Sequence, residues 1–407
     1  MSELTQALLD AIATAPDRRI PFSTFMQQAL YTPHRGYYWQ PKIGGAGQDF
    51  FPAVSHGPDF GELLAEQFVQ MWQILGQPQP FHLVEMGPGQ GLLAADVLGH
   101  LQQQYPDCLA AVEYFLVEAS DGLIAQQQAR LADWAVPIHW TTLADLPPIV
   151  GCAFSNEFVD ALPVHRVEIC EGELWEVFVC DLKPTQKTPH RLALSEAQPN
   201  DSETSQPKTP FAEVLGLPSN PHLVEYFQRL NIDLTQYPNG YRTEVNLAAL
   251  DWLSQISKKL RQGYLFTIDY GYPAQRYYNP RREGGTLQCY YQHRHHSNPY
   301  VNVGSQDITA HVDFTTLEKV GESLGLKTVG FTQQAKYLMS LGLGERMAGL
   351  SQTTGTDLNA LLQRRDALRQ LIDPMGMGNF GVLMQSQGLT AAQQRLTPQG
   401  FVVPAMA

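Results

Sequence analysis

The stretch that decides the fold runs from Phe81 to Leu98 and reads FHLVEMGPGQGLLAADVL. Its apolar first part predicts a short buried strand, and Leu93, Val97 and Leu98 share one face of the helix that should follow. The glycines therefore lie in a strand-to-helix turn, where the backbone bends sharply and the helix start offers free N–H groups. We expect an α/β fold that holds a nucleotide-like ligand at this turn.

The spacing of the glycines separates two kinds of ligand. A dinucleotide fingerprint, G-x-G-x-x-G, needs a third glycine at position 92, where this chain has Leu92. The chain instead has Glu85 two positions before the alternating glycines Gly87, Gly89 and Gly91. This pattern resembles the first motif of class I S-adenosylmethionine-dependent methyltransferases, because a carboxylate attracts the cofactor's methionyl ammonium and repels a pyrophosphate. An ordinary glycine turn is the alternative.

Length and charge limit the possible functions. The 407 residues are enough for one large or two medium domains. The formal net charge of −13 argues against nucleic-acid binding, which needs a basic face to neutralise phosphates. An acidic surface suits a basic protein or peptide partner.

Cysteines and apolar runs predict the compartment. The five cysteines are odd in number and contain no C-x-x-C pair, so neither a zinc site nor a redox dithiol is expected. A reducing compartment is the simplest interpretation. Neither a signal-peptide core nor a run of about 18 apolar residues is present, so we predict a cytoplasmic protein without membrane insertion.

Carboxylates follow three of the predicted strands in the first half of the chain. Glu118 ends the strand 114–118, where an acid in nucleoside-binding α/β folds accepts hydrogen bonds from both ribose hydroxyls. The alternative is that Glu118 caps the next helix. Asp145, in the turn after the strand 138–140, would border the adenine. Asn156 and Glu157 follow the strand 149–154, at the sheet edge where ligands of such folds bind.

Asp160 lies three residues after Glu157 and could face the same way within one turn. Acids at a helix N-terminus are a common and favourable alternative.

The three clustered histidines at positions 293, 295 and 296 lack metal-ligand spacing, and we predict a solvent loop and no metal.

The remaining segments complete an alternating α/β pattern. They are helices at 2–15 and 21–29, a hairpin at 167–179, a polar insertion at 183–210, an amphipathic helix at 241–260, a strand at 263–271, and a closing strand pair at 327–331 and 380–385 that encloses helices.

Six ordered blocks together resemble the MidA family of class I methyltransferase-like proteins, whose mitochondrial relatives assist respiratory complex I assembly by methylating an arginine of a subunit. The blocks are ALYTPHRGYY at 29–38, EMGPGQG at 85–91, NEFVDALPV at 156–164, DYG at 269–271, GTLQCY at 285–290 and DITAHVDF at 307–314. The chain departs from the family pattern at 48–52, which reads QDFFP, and in the length of the polar insertion.

The resemblance implies a Rossmann-like class I methyltransferase with a twisted, mostly parallel seven-stranded sheet whose last strand is antiparallel. It divides the chain into an N-terminal helical cap and aromatic loop (1–80), the first part of the core (81–182), the polar insertion (183–240) and the rest of the core (241–407), with a helical insertion at about 336–372. The candidate residues for binding S-adenosylmethionine are Glu85, Gly87, Pro88, Gly89, Gly91, Glu118, Asp145 and Asn156.

Methyl transfer to arginine needs an oriented guanidinium in a dry site. Glu157 is the candidate carboxylate clamp, with Asp160, Asp269 or His311 as a second acid or proton acceptor. The resulting hypothesis is a protein-arginine methyltransferase, and the resemblance implies a respiratory complex subunit as its substrate. A cofactor-binding assembly factor without turnover, a small-molecule methyltransferase and a nicotinamide reductase are the alternatives.

Overall fold

The computed structural model describes residues 2–40, 53–182, 209–350 and 358–402. The family departure at 48–52 and nearly all of the polar insertion at 183–210 lie outside the described residues. The described residues fall into two compact units that interleave along the sequence: the first lies within 1–49, 161–249 and 274–311, and the second within 50–160, 250–273 and 312–407. The four consecutive segments predicted from the sequence remain a prediction about domains.

The strands along the described residues are β1 (Arg19–Pro21), β2 (Phe81–Met86), β3 (Val112–Val117), β4 (Ile138–Thr141), β5 (Ile149–Asn156), β6 (His165–Cys170), β7 (Glu173–Asp181), β8 (Phe211–Gly216), β9 (Tyr241–Val245), β10 (Leu260–Asp269), β11 (Gly271–Tyr272), β12 (Gln288–Tyr291), β13 (Arg294–His296), β14 (Asp307–Thr309), β15 (Val312–Asp313), β16 (Lys327–Gln333) and β17 (Gly381–Gln387). The helices are α1 (Glu3–Thr14), α2 (Phe22–Tyr31), α3 (Asp59–Ile74), α4 (Leu92–Gln104), α5 (Pro106–Ala111), α6 (Asp121–Arg130), α7 (His222–Arg229), α8 (Leu247–Lys259), α9 (Ala274–Tyr277), α10 (Phe314–Ser323), α11 (Gln334–Ser340), α12 (Leu343–Leu350) and α13 (Leu358–Leu371).

The second unit is built around a sheet with the strand order β16-β17-β10-β5-β2-β3-β4. Neighbours from β10 to β4 pair in parallel, whereas β17 pairs antiparallel with both β10 and β16. All six residues of β2 are buried, as expected for a strand covered on both faces. Helices α4 and α5 connect β2 to β3, and α6 connects β3 to β4, so the expected α/β class is confirmed.

The core of this unit packs helices against the sheet. Phe68 of α3 packs against Phe154 of β5 with ring centroids 4.8 Å apart, and Val97 and Leu98 of α4 are fully buried. The carboxyl ends of β2, β3, β5 and β10 consequently lie along one edge of the sheet, because the pairing is parallel and in register. That edge carries the candidate site.

The first unit contains a second, smaller sheet. Its strand order is β1-β7-β6-β9, with β8 paired to β7, and β12, β13 and β14 form a separate three-stranded sheet. Helices α1 and α2 contribute Leu8, Phe22 and Phe25 to its core. The predicted first helix is confirmed, and Ser2 caps it by accepting a hydrogen bond from the Thr5 N–H at 3.1 Å.

The helix predicted over 241–260 is wrong in its first third. Residues Tyr241–Val245 form β9, which pairs antiparallel with β6, and the helix α8 begins only at Leu247. Four of the five residues of β9 are buried, Arg242 being the exception, so the strand lacks the one-sided pattern of an amphipathic helix. Asn246 then accepts a hydrogen bond from the Ala249 N–H at 2.9 Å and so marks the start of the helix.

Candidate active site

The glycine turn after β2 leaves room for a ligand at one position. Gly87, Gly89 and Gly91 have φ values of 66°, 53° and 73°. A Cβ on Gly87 would lie 2.8 Å from Cδ2 of Phe158, and one on Gly91 would lie 3.3 Å from Cγ of Gln127. No described atom lies within 4 Å of a Cβ built on Gly89. Packing therefore requires glycine at the first and third positions, whereas the second faces open space.

Glu85 lies at the end of β2, directly before this turn. Its side chain is 3% exposed and accepts a hydrogen bond from the Tyr114 hydroxyl at 2.7 Å. Burial raises the pKa of Glu85 to about 7; the Tyr114 bond opposes this shift and the negative charge of Asp96 adds to it. A nearby cation would restore the carboxylate. Pro88 closes the turn, since its carbonyl accepts from the Gly91 N–H at 2.8 Å.

Glu118 follows β3 and is fixed by the backbone. One carboxylate oxygen, Oε1, accepts hydrogen bonds from the N–H groups of Ala119 at 2.8 Å and Ser120 at 2.9 Å. Burial raises the pKa of Glu118 above its usual value. These contacts give hydrogen-bond acceptors to the two backbone N–H groups just before α6, as the capping alternative requires. They also hold the second carboxylate oxygen, Oε2, in a fixed direction.

A residue that sequence reasoning missed connects these parts. Gln127 of α6 is completely buried, and its Nε2 donates to the carbonyl of Gly89 at 2.7 Å and faces Oε2 of Glu118 at 3.5 Å. Its Oε1 accepts from the Trp140 indole N–H at 2.9 Å. The sequence contains one signal for this role. Gln127 lies four residues after Leu123, on the buried face of the helix, where a polar side chain needs hydrogen-bond partners.

The turn after β4 is held by a lysine at the end of α8. The ammonium of Lys259 donates to the carbonyls of Ala144 and Leu146, at 2.5 and 2.7 Å. Asp145 between them is exposed and accepts from the Thr142 hydroxyl at 2.6 Å. The sequence indicated Asp145 but not Lys259, which is distant in the chain.

The carboxyl end of β5 holds an acid with an unusual backbone conformation beside two buried polar atoms. Glu157 has a φ of 50°, which is unusual for a residue other than glycine. Its Oε1 accepts from the Ala53 N–H at 2.9 Å and from Nδ2 of Asn156 at 3.2 Å. Among the described residues, neither Oδ1 of Asn156 nor Oγ of Ser155 has a hydrogen-bond partner, although both atoms are buried. Such atoms are costly unless something else binds them.

Asp269, at the end of β10, organises the turn that contains Glu157. Its Oδ2 accepts from the N–H groups of Phe158, Val159 and Asp160, at 3.1, 2.8 and 3.3 Å. Its Oδ1 accepts from the Tyr270 N–H at 2.7 Å. Burial raises the pKa of Asp269 to about 7, while these four donors favour the carboxylate. The structure thus brings Glu157, Asp160 and Asp269 together, with Asp269 occupied by the backbone.

His311 belongs to the first unit and has different surroundings. Its backbone N–H donates to the Thr286 hydroxyl at 3.2 Å. Burial, together with the positive charges of Arg282 and Arg276, lowers the pKa of His311 to about 3. The imidazole is therefore neutral at physiological pH.

Comparison with known proteins decides the family. Residues 63–332 match the model of a family described as "putative S-adenosyl-L-methionine-dependent methyltransferase". The chain belongs to this methyltransferase family. The earlier resemblance and the expected S-adenosylmethionine cofactor are confirmed.

Relatives and solved structures cover nearly the whole chain. Protein arginine methyltransferase NDUFAF7 homolog, mitochondrial, from Drosophila melanogaster is 27% identical over 94% of this chain and 84% of its own. Human protein arginine methyltransferase NDUFAF7, mitochondrial, is 25% identical over 91% and 81%. A Burkholderia thailandensis crystal structure bound to S-adenosylhomocysteine is 29% identical, covers 98% of this chain and 94% of its own, and has a TM-score of 0.78.

The site fits the cofactor of the family. The space beside Gly89 can take a ligand, and the amide oxygen of Asn156 and the carboxyl of Glu85 are acceptors that suit an ammonium. S-adenosylmethionine supplies an electrophilic methyl group on a sulfonium.

The predicted cytoplasmic location is contradicted by the relatives, which are named as mitochondrial proteins. The described residues contain no disulfide, and this does not identify a compartment. No helix among the described residues is long and apolar enough to cross a membrane. Those residues also contain no group of three or more His, Cys, Asp or Glu side chains placed to hold a metal ion.

Proposed function

We propose that this methyltransferase transfers the methyl group to an arginine side chain of a protein. The observation that carries the proposal is the carboxylate of Glu157, which is held in a strained turn at the edge of the sheet where Glu85 and the glycine turn also end. Relatives that cover more than nine tenths of the chain are named protein arginine methyltransferases, which supports the proposal.

The binding roles follow from the acceptors along that edge. Glu85 and the amide oxygen of Asn156 accept hydrogen bonds from the methionyl ammonium, and Glu118 accepts from the ribose hydroxyls. The turn around Asp145, which is held by Lys259, borders the adenine. The backbone carbonyl of Pro88 shapes the glycine turn by accepting a hydrogen bond from the Gly91 N–H.

Glu157 orients the acceptor. A guanidinium is a poor nucleophile, because its lone pair is delocalised and its positive charge repels an approaching sulfonium. A carboxylate that accepts two N–H bonds draws the charge toward the bonded nitrogens and leaves the remaining nitrogen to attack the methyl carbon. The methyl group would pass from the sulfonium sulfur to that nitrogen, and Asp160, the proposed second acid, would accept the proton that the methylated guanidinium loses.

The other candidates take different roles. Asp269 acts as a positioning residue, since its oxygens are engaged by four backbone N–H groups. Asp160, in the same turn, is the proposed second acid. His311 is a weaker proton acceptor than its neutral state suggests, because a pKa of about 3 makes it a poor base.

The wider assignments are proposals of the same kind. We place the chain in the MidA branch of the family because six blocks of its sequence match in order. The sheet of the second unit supports the seven-stranded arrangement of class I methyltransferases. A basic segment of a respiratory complex subunit is the proposed partner, in keeping with the net charge of −13.

The test uses the purified chain with tritiated S-adenosylmethionine and a lysate as the source of acceptors. We expect label in protein, released as methylarginine on acid hydrolysis. Label in another methylated residue or only in small molecules would overturn the arginine assignment. Cofactor binding without any incorporation would indicate an assembly factor without turnover.

A further inference from the structure

Gln127 joins three parts of the cofactor edge through one buried carboxamide. Nε2 contacts the carbonyl of Gly89 and faces Glu118, and Oε1 accepts from the indole of Trp140. Backbone hydrogen bonds already make the glycine turn, the end of β3 and the strand β4 neighbours in the sheet. Gln127 of α6 adds a buried side-chain link between the polar groups of all three.

The chemistry of an amide suits this place better than that of other side chains. The carbonyl of Gly89 and the carboxylate of Glu118 are both acceptors and need donors, whereas the Trp140 indole is a donor and needs an acceptor. An amide supplies both in fixed directions. A glutamate in its place would put an acceptor against two acceptors, and a methionine would supply neither group.

The contacts also fix which way Glu118 faces. Oε1 is held by the backbone N–H groups of Ala119 and Ser120, which leaves the orientation of Oε2 to Gln127. At 3.5 Å the contact to Nε2 is long, so Oε2 keeps acceptor capacity for another donor. Burial, which raises the pKa of Glu118, makes that donor more valuable to the carboxylate.

We propose that Gln127 is a positioning residue that aligns Glu118 with the glycine turn and thereby sets the enzyme's selectivity for the ribose hydroxyls. This inference rests on the proposed ribose role of Glu118. It does not depend on the identity of the methyl acceptor. Gln127 acts through its neighbours and is not a catalytic residue.

The experiment compares affinities for S-adenosylmethionine and its 2′-deoxy analogue by calorimetry in the full chain. The variants are Gln127→Met, which keeps the size and removes both hydrogen-bonding groups, and Trp140→Phe, which removes the indole donor together with part of the ring. Gln128→Met is the matched control, because Gln128 is exposed on the same helix. Thermal unfolding is recorded for each protein.

We expect the wild type to prefer S-adenosylmethionine over the analogue by about tenfold or more, the scale of a lost hydrogen bond to a charged group. In Gln127→Met the affinity for S-adenosylmethionine should fall about 5- to 10-fold, and the preference should fall toward one. Trp140→Phe should lower the affinity and the preference by smaller factors, and Gln128→Met should change neither the affinity nor the preference.

A preference unchanged in both Gln127→Met and Trp140→Phe would overturn the inference, even if both proteins were less stable. A wild type that binds the two ligands equally would also overturn it, and would remove the ribose role of Glu118 while leaving the cofactor assignment intact. Failure of the wild type to bind S-adenosylmethionine would instead contradict the methyltransferase function itself.

Discussion

Replacing Asp269 with asparagine tests whether its carboxylate holds the turn that carries Glu157. The carboxylate accepts four backbone N–H bonds, three on Oδ2 and one on Oδ1. An asparagine can keep its one oxygen toward Phe158, Val159 and Asp160. Its NH₂ group must then face the N–H of Tyr270, so one bond is lost and two donors oppose each other.

The magnitude follows from these contacts. Losing one hydrogen bond to a charged acceptor costs about 1.5–3 kcal/mol, and the buried N–H left without a partner adds to it. We expect Asp269→Asn to lower the free energy of unfolding by about 2–5 kcal/mol. If the turn shifts by about 1 Å, methyl transfer should fall on the order of a hundredfold.

Urea unfolding gives the first quantity and labelled-methyl incorporation the second. Asp251→Asn is the matched control, since Asp251 is exposed on α8 and its change should stay within about 0.5 kcal/mol. Equal unfolding midpoints for Asp269→Asn and wild type would refute the reasoning. A destabilised variant with full activity would show that the turn does not set the geometry of transfer.

Three further predictions concern the cofactor. Gly89→Val should abolish S-adenosylmethionine binding. Gly76 also faces open space and has a φ of 85°, so Gly76→Val should lower stability by a comparable amount and leave binding intact. Equal affinities in the two variants would place the ligand elsewhere. Glu118→Ala should weaken binding by about 1.5–3 kcal/mol in calorimetry, and a change below about 0.5 kcal/mol would exclude it as a ligand. Burial raises the pKa of Glu85 to about 7, so its carboxylate is lost as pH falls through 7 and the affinity for S-adenosylmethionine should fall by up to about tenfold per pH unit below that point. Glu85→Gln should flatten this pH dependence. An unchanged slope in the variant would assign the dependence to another group.

The glycine turn could be predicted from the sequence because all its determinants are local. A buried apolar run, alternating glycines and an apolar helix face lie within 18 consecutive positions, Phe81 to Leu98. The strand ends that carry Glu118 and Glu157 were predictable for the same reason. Each follows a short apolar run directly.

The contacts that hold these residues were not predictable, because they join distant parts of the chain. Asp269 binds N–H groups more than 100 positions earlier, and Lys259 binds carbonyls as far back as position 144. The strand β9 was missed because its five residues precede a strongly periodic helix, and the longer pattern dominated the prediction. Pairing with β6 decides its structure.

The central claim is that Glu157 orients an arginine acceptor, and Glu157→Gln tests it most directly. The glutamine keeps an oxygen for the N–H groups of Ala53 and Asn156, so the turn should persist, while the charge that polarises a guanidinium is lost. Glu322→Gln is the matched control, because Glu322 is exposed on α10. S-adenosylmethionine affinity and tritiated methylarginine formation are measured side by side for wild type and both variants.

The account predicts that the affinity of Glu157→Gln stays within about twofold of wild type, while methylarginine formation falls on the order of a hundredfold or more. Glu322→Gln should match wild type in both. Equal methylarginine formation by wild type and Glu157→Gln would contradict the account.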